Sequence, residues 1–266
     1  MKKLRDLLIA RGEELLAQPR RPVSYAKHPE ADALINNLKR HPHAFVLGCL
    51  MDRKVKSEKA WRIPYLIHHR TGTASFGELA ALTEESIRKA MAGPPALHVY
   101  VRDMADIFYA AVQRIATEYG GDASRIWRGR PSSAAIVRRF LEFHGVGPKI
   151  ATMAANSLVR DFKIPVRDKN SIDISVDVHV RRVFGRLGLI RPDASVDEII
   201  YRARELSPDY PGIFDLAVWE IGREWCRPKQ PVCEGCIMKK YCPTAAGKRP
   251  LPVADLHPTR GKEVTR

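Results

Sequence analysis

Four of the five cysteines in this 266-residue chain lie in one short segment near its C-terminus. They are Cys226, Cys233, Cys236 and Cys242, in the pattern C-x6-C-x2-C-x5-C. Four thiolates on a compact loop are the ligand set that a [4Fe-4S] cluster needs. Structural zinc sites usually pair two CxxC knuckles or add histidines, and this segment has neither. The pattern therefore favours an iron–sulfur cluster over zinc, and zinc over disulfides.

The charge of the chain limits its partners. Lys and Arg total 45 against 30 Asp and Glu, a formal net charge of +15. Such an excess favours a polyanion, with nucleic acid ahead of an acidic membrane surface or an acidic protein. The first residues predict an amphipathic helix rather than a secretory signal, and no apolar run is long enough to cross a bilayer. We therefore expect an intracellular protein, cytoplasmic or at the nucleoid, without membrane contact.

Helical periodicity dominates most of the sequence. Residues 101–118 place their apolar side chains on one face, Thr83 is a predicted N-cap, and another helix is predicted over 132–143. The helical pattern breaks at 161–176, where Phe162–Val166 and Ile172–Val176 alternate around a polar turn. This alternation predicts a small β-hairpin, with a disordered excursion as the alternative. Residues 247–266 are predicted to be a loose basic tail.

A second motif, Gly145-Val146-Gly147-Pro148-Lys149, lies between two apolar helical stretches. Two glycines two residues apart allow a tight turn whose backbone amides point outward. Pro148 suits the first position of the helix that follows. Free amides at the positive end of a helix form an anion site, which suits a phosphate of DNA.

Three segments together resemble one family: residues 143–151, residues 175–183 with Asp177, and residues 221–242 with the cysteines. They are similar to the helix–hairpin–helix DNA glycosylases that include endonuclease III and the adenine-mismatch glycosylases. The resemblance implies an all-α, two-lobed fold. A helical barrel lobe would span 44–160 and end in the hairpin, and residues 1–43 plus 161–246 would form the cluster lobe. The implied partner of this monomer is double-stranded DNA with a damaged base or an abasic site, and the target nucleotide leaves the duplex to react.

The resemblance assigns roles residue by residue. It implies that Lys149 attacks C1′ of the damaged nucleoside, forming a Schiff base that permits strand cleavage; the alternative is a phosphate-binding lysine. Burial beside the hairpin is expected to favour its free amine. Asp177 is predicted to cap a helix and to stabilise the charged sugar, whereas His179 is expected to pack. The cluster would be structural, with Arg227 and Lys229 facing phosphates unless they are ordinary basic surface.

Two departures from endonuclease III leave the damaged base open. The first is the spacing between Lys149 and Asp177, which are 28 residues apart, more than in endonuclease III, with the surplus at residues 161–176. The second lies among the residues that would enter the DNA. Met51 stands where endonuclease III has a glutamine that fills the gap left by the extruded base, and Leu97 or His98 would enter the stack from the opposite side. Cys49, in an apolar run, is expected to be buried. Three functions follow: a glycosylase with AP lyase activity, a monofunctional glycosylase for alkylated, deaminated or mispaired bases, or a non-enzymatic DNA-binding module.

Overall fold

The computed structural model describes residues 2–247, and that part of the chain is all-α, as predicted, with twelve α-helices, three short 3₁₀ segments and no strand. The helices are α1 (Lys2–Ala17), α2 (Pro29–Asn36), α3 (Pro42–Met51), α4 (Ser57–Thr71), α5 (Phe76–Ala80), α6 (Glu84–Ala92), α7 (Val101–Glu118), α8 (Ser133–Leu141), α9 (Pro148–Arg160), α10 (Val178–Arg186), α11 (Val196–Leu206) and α12 (Ile213–Glu224). The predicted loose tail, from residue 248 on, lies outside the described residues. Among the described helices, none is both long and apolar enough to span a membrane.

Several helices begin where local chemistry predicts. The Thr83 side chain accepts a hydrogen bond from the amide of Ser86 at 3.2 Å, and α6 follows directly. Helix α7 covers 101–118 and buries the predicted apolar face. At α8, Ser132 accepts from the amide of Ala135, which satisfies one amide of the first turn.

The chain divides into two compact units. The continuous unit, residues 19–172, contains α2–α9. The discontinuous unit joins residues 2–18 to residues 173–247 and contains α1, α10–α12 and the cysteine segment.

Helix α3 is the centre of the continuous unit, because all ten of its residues are buried. The Cys49 thiol is among them, as expected, and burial raises its pKa. Phe45 packs edge-on to Phe162 with ring centroids 5.1 Å apart, and Tyr25 stacks on Trp61 at 4.3 Å. A helix that is apolar on every side must be surrounded by other helices, and α4, α7 and α9 surround α3.

The predicted β-hairpin at 161–176 is wrong, and so is the disordered alternative. The segment is an ordered, irregular stretch without a strand ladder, and several of its amides bond to neighbouring helices and loops. Ile164 N donates to Leu158 O at 2.9 Å and Arg167 N to Pro131 O at 3.0 Å. The Asp168 carboxylate accepts from the Ser133 hydroxyl at 2.5 Å. With these backbone groups already bonded, no partner strand is needed.

In the discontinuous unit, α12 packs on both α1 and α10. Leu4, Leu8 and Gly12 form the buried face of α1. Arg11 of α1 donates to both carboxylate oxygens of Glu220 at 2.8 and 2.6 Å. This paired hydrogen bond fixes the first helix of the chain against one of its last.

A pair of buried histidines lies in the continuous unit. Nε2 of His43 and Nε2 of His68 are 3.3 Å apart, and Nδ1 of His68 is 3.1 Å from the carbonyl oxygen of Thr73. Nδ1 of His68 is also 2.8 Å from the Thr73 hydroxyl, which can donate or accept, so one imidazole donates to the other through the Nε2 pair, in the direction that the tautomer of His68 sets. Burial, followed by the charges of His68 and His41, lowers the pKa of His43 to about 3.

This histidine pair predicts a pH dependence. Between the ordinary histidine pKa, about 6.5, and about 3, His43 is neutral in the folded protein and protonated in the unfolded chain. The unfolded state then binds more protons, so stability falls as pH falls through this window. We expect His43→Gln, which keeps a donor but does not titrate, to reduce that slope by up to about 1.4 kcal/mol per pH unit. Urea unfolding between pH 6 and pH 4 measures it, with His69→Gln as the matched control. Equal slopes for the parent and His43→Gln would contradict the argument.

Candidate functional site

The turn between α8 and α9 is held by one aromatic side chain. Phe143 is 2% exposed and stacks parallel to Tyr119 with ring centroids 6.1 Å apart. Gly145 follows with φ of 76°, and a Cβ there would lie 2.7 Å from Cδ1 of Ile107. Both the backbone angle and the space therefore require glycine at this position.

The turn leads into α9 as the sequence predicts. Gly147 is the N-cap and accepts from the amides of Ile150 and Ala151, each at 3.1 Å, and Pro148 is the first helical residue. Val146 N bonds back to Phe143 O at 3.0 Å. Gly145 and Gly147 thus lie together at the positive end of a thirteen-residue helix. This arrangement can bind an anion.

Lys149 is the second residue of α9, and its side chain is exposed. The expected burial beside the hairpin is therefore not observed. An exposed amine next to an anion site can be reached by a substrate as large as a DNA strand. Behind it, the Thr152 hydroxyl donates to Pro148 O at 2.9 Å and ties the first turn of α9 together.

Asp177 caps α10, as predicted. Its Oδ1 accepts from the amides of His179 and Val180, each at 2.8 Å. Its other oxygen, Oδ2, takes part in none of the hydrogen bonds identified within residues 2–247, and the residue is half-buried. One oxygen thus orients the carboxylate while the second stays available to a ligand.

The segment before Asp177 is held by two carboxylates. Ser175 N donates to the Asp215 carboxylate at 2.9 and 3.1 Å, and Arg204 pairs with Asp173 through two bonds of 2.7 and 2.8 Å. Asp215 is only 9% exposed and lies in the first turn of α12. The sequence alone did not reveal this support, because the partners lie 31 and 40 residues apart.

His179 packs, as expected, rather than facing solvent. Its ring lies against α12, where a Cβ at Gly222 would be 2.5 Å from Nδ1 of His179, so glycine is needed for the approach. Arg182 donates to Nδ1 of His179 at 2.9 Å, to Gly222 O at 3.0 Å and to Cys226 O at 2.6 Å. This arginine joins α10 to the end of α12 and to the start of the cysteine segment.

The four predicted ligands, Cys226, Cys233, Cys236 and Cys242, line one cavity together with apolar side chains of α10 and α12. All four are free thiols. Burial raises the pKa of Cys236, and the other three cysteines add to this. Among residues 2–247, no group of three or more His, Cys, Asp or Glu side chains lies close enough together to hold a metal ion. Four thiols that line one apolar cavity are nevertheless the donor set that suits an iron–sulfur cluster.

Arg186 contacts both ends of the cysteine segment. Its guanidinium donates to Cys226 Sγ at 3.3 Å, to Arg227 O at 2.7 Å and to Pro228 O at 2.7 Å. Its carbonyl oxygen accepts from the Thr244 hydroxyl at 2.8 Å. The first and last turns of the segment are therefore tied to the end of α10 by one residue.

Arg227 and Lys229, predicted to face phosphates, are both exposed and line a groove along the first half of the cysteine segment. The guanidinium of Arg227 makes no ion pair within the described part of the chain, and neither does the ammonium of Lys229. Both cations are available to an anionic partner.

The residues predicted to enter the DNA stack are buried. Met51 is 0%, Leu97 2% and His98 1% exposed. Nε2 of His98 donates to Arg53 O at 2.9 Å and Nδ1 accepts from the Tyr100 amide at 3.0 Å, while burial lowers the pKa of His98. The large exposed side chains of this loop are Val99 and Tyr100, which the sequence analysis did not select. The role of the buried three stays a prediction.

Known proteins share this architecture. A structure of endonuclease III trapped in a covalent complex with DNA has a TM-score of 0.60 and 17% identity and covers 93% of this chain and 98% of that one. A thermostable thymine-DNA glycosylase has a TM-score of 0.59 and 17% identity over 92% of this chain and 98% of that one. At this identity the likeness establishes the fold, which is that of the helix–hairpin–helix glycosylases.

Sequence similarity is confined to part of the chain. It is 30% identical to endonuclease III of Thermotoga maritima over 106 residues, 40% of this chain and 45% of that protein. It is 29% identical to endonuclease III-like protein 1 of Gallus gallus over 131 residues, 48% of this chain and 40% of that protein. The match thus spans less than half the length of these curated relatives, and no family model matches. The resemblance to the endonuclease III-like superfamily is confirmed.

The two glycines of the hairpin should respond differently to substitution. We expect Gly145→Ala to lower the free energy of unfolding by about 2 kcal/mol, because alanine is strained at φ of 76° and its Cβ overlaps Ile107. Gly147→Ala is the matched control, since its φ of −104° is ordinary and its Cβ meets no atom within 4 Å. Denaturant unfolding of both variants measures the difference, and equal losses would contradict the packing described for this turn.

Proposed function

We propose that this chain is a base-excision DNA glycosylase with an associated AP lyase activity, acting on double-stranded DNA with a damaged base or an abasic site. The observation that carries the proposal is Lys149, an exposed amine in the first turn of α9, directly after a turn suited to a phosphate. Relatives named endonuclease III support the same reaction class.

In the proposed reaction, Lys149 Nζ attacks C1′ of the target nucleoside, and the N-glycosidic bond breaks with its electron pair leaving on the base. The base departs protonated. After the sugar ring opens, Nζ and C1′ form a Schiff base. Loss of a proton from C2′ then expels the 3′ phosphate by β-elimination, which cleaves the strand. The target nucleotide must be extruded first, because C1′ is not accessible within the stack.

Asp177 has two proposed tasks. As the cap of α10, it is held by two amides through Oδ1. Through Oδ2 it would stabilise positive charge on the sugar as the base leaves and accept protons during the later steps. The two hydrogen bonds of the cap orient the carboxylate and leave Oδ2 for the sugar.

We propose that Cys226, Cys233, Cys236 and Cys242 bind a [4Fe-4S] cluster. The four free thiols around one apolar cavity support this assignment, and so do the contacts of Arg186 with both ends of the segment. The cluster would hold the segment in shape, so that Arg227 and Lys229 face the DNA backbone.

The lyase proposal is tested by trapping. We expect borohydride to join the protein covalently to a duplex with an abasic site. Lys149→Ala should abolish this adduct, because Lys149 is the residue proposed to supply the amine of the Schiff base. Lys39→Ala, an exposed lysine of the same unit, is the matched control. The adduct is measured by its shift on a denaturing gel.

Base release is measured separately. A panel of duplexes with oxidised, alkylated, deaminated or mispaired bases is assayed before and after alkali. If Lys149→Ala still releases the base and the strands are cleaved only after alkali, the chain is a monofunctional glycosylase and the lyase proposal is wrong. No release from any duplex, with DNA binding retained, would leave only a binding module.

The cysteine assignment predicts a coloured protein with the iron content of a cubane cluster and with thiolate-to-iron charge-transfer absorption. We expect Cys233→Ser to lose most of this iron, whereas Cys49→Ala should keep it, because Cys49 is buried in α3 and is not among the four. Metal analysis of the purified protein and both variants checks this. A colourless protein that contains zinc would overturn the assignment.

A further inference from the structure

One of the four tryptophans is exposed, whereas two are buried and Trp225 is half-buried. Trp219, on α12, is 52% exposed, whereas Trp61 and Trp127 are 2% and 5% exposed. A single exposed apolar side chain is ordinary and needs no explanation by itself. The surroundings of Trp219 make it unusual.

The first of these surroundings is a cation. The Arg223 guanidinium lies over the Trp219 ring, 4.3 Å from its centroid and one helical turn further along α12. An arginine stacked on an indole restrains the ring and places positive charge beside it. Flat aromatic surface next to a cation is a common recognition surface for nucleobases.

The second unusual feature around Trp219 is the face of α12 on which it lies. Asp215, Trp219 and Gly222 are spaced i, i+4 and i+7, so they share that face. Asp215 accepts from Ser175 N, and Gly222 meets the ring of His179. Trp219 therefore lies on α12 between the residue that contacts Ser175 and the residue that contacts His179, which are the neighbours of Asp177 two positions away on either side.

We propose that Trp219 stacks on the extruded nucleobase while Asp177 acts on its sugar, and that Arg223 holds the indole for this purpose. The inference rests on the proposed function, and it adds the class of group recognised next to Asp177: a planar aromatic base rather than a sugar or a phosphate. Val178, 69% exposed at the start of α10, adds apolar surface directly after Asp177.

Stacking of one base on an aromatic side chain changes affinity by about 5- to 150-fold. An abasic site has no base to stack. The proposal therefore separates two substrates: the contribution of Trp219 should appear in base release from a damaged duplex and be absent on abasic DNA.

The experiment compares Trp219→Ala and Trp219→Phe with the parent on two duplexes, one with the base released in the panel and one abasic. We expect Trp219→Ala to lower base release at least about 10-fold, Trp219→Phe to stay near the parent, and borohydride trapping on the abasic duplex to be unchanged in both. Tyr201→Ala is the matched control, because Tyr201 is 64% exposed and lies under Arg204 on α11, outside this face. Equal base release by Trp219→Ala and the parent would overturn the proposal, and so would a matching loss on the abasic duplex.

Fluorescence separates failure of this inference from failure of the proposed function. The emission lost in Trp219→Phe identifies the contribution of Trp219. We expect a duplex with one bulged thymine to quench this contribution, and the same duplex with a tetrahydrofuran abasic analogue in that place to quench it much less. The measurement needs no turnover. Equal quenching by the two duplexes would overturn the inference about Trp219 even if the enzyme is active. Quenching by the bulged thymine without any base release would support the inference about Trp219 and contradict the proposed activity.

Discussion

The discontinuous unit depends on the nine-residue helix α10 and on the hydrogen bonds at its two ends. At the start, Asp177 binds two amides of the first turn. At the end, Arg186 binds backbone and thiol groups of the cysteine segment. A helix of nine residues is about 14 Å long. The proposed cofactor loop and the proposed catalytic carboxylate are thus held at a fixed distance by one rigid element, and α12 runs beside it.

Those parts of the fold that the sequence predicted are the ones determined locally. The cap at Asp177, the start of α6 at Thr83 and the turn at Gly145 each depend on side-chain chemistry within a few residues, which a sequence displays directly. The long apolar face of α7 was also predicted, because eighteen residues give enough periodicity to read.

The wrong or missing parts depend on distant partners. Alternating apolar and polar residues at 161–176 are equally compatible with a hairpin and with an extended segment. The segment forms an irregular stretch rather than a hairpin because several of its amides bond to acceptors in other elements, such as Pro131 O and Leu158 O. Asp215 and Trp219 gained their significance only when α12 was seen to lie along residues 175–179. The histidine pair joins α3 to α4 across 25 residues. No spacing rule identifies contacts of this kind from one sequence.

Exposure divides the residues that would meet DNA into two groups with different energetic costs. Lys149, Arg227 and Lys229 are exposed and reach a ligand without rearrangement. His98 is buried and satisfies both Arg53 O and the Tyr100 amide, so moving it into a base stack would leave two polar groups without partners. Each such loss costs about 1–3 kcal/mol when the group stays buried. Val99 and Tyr100, 64% and 50% exposed on the same loop, reach solvent without that cost. Insertion by His98 must therefore be offset by new contacts with the duplex, whereas contact through Val99 or Tyr100 requires no such compensation.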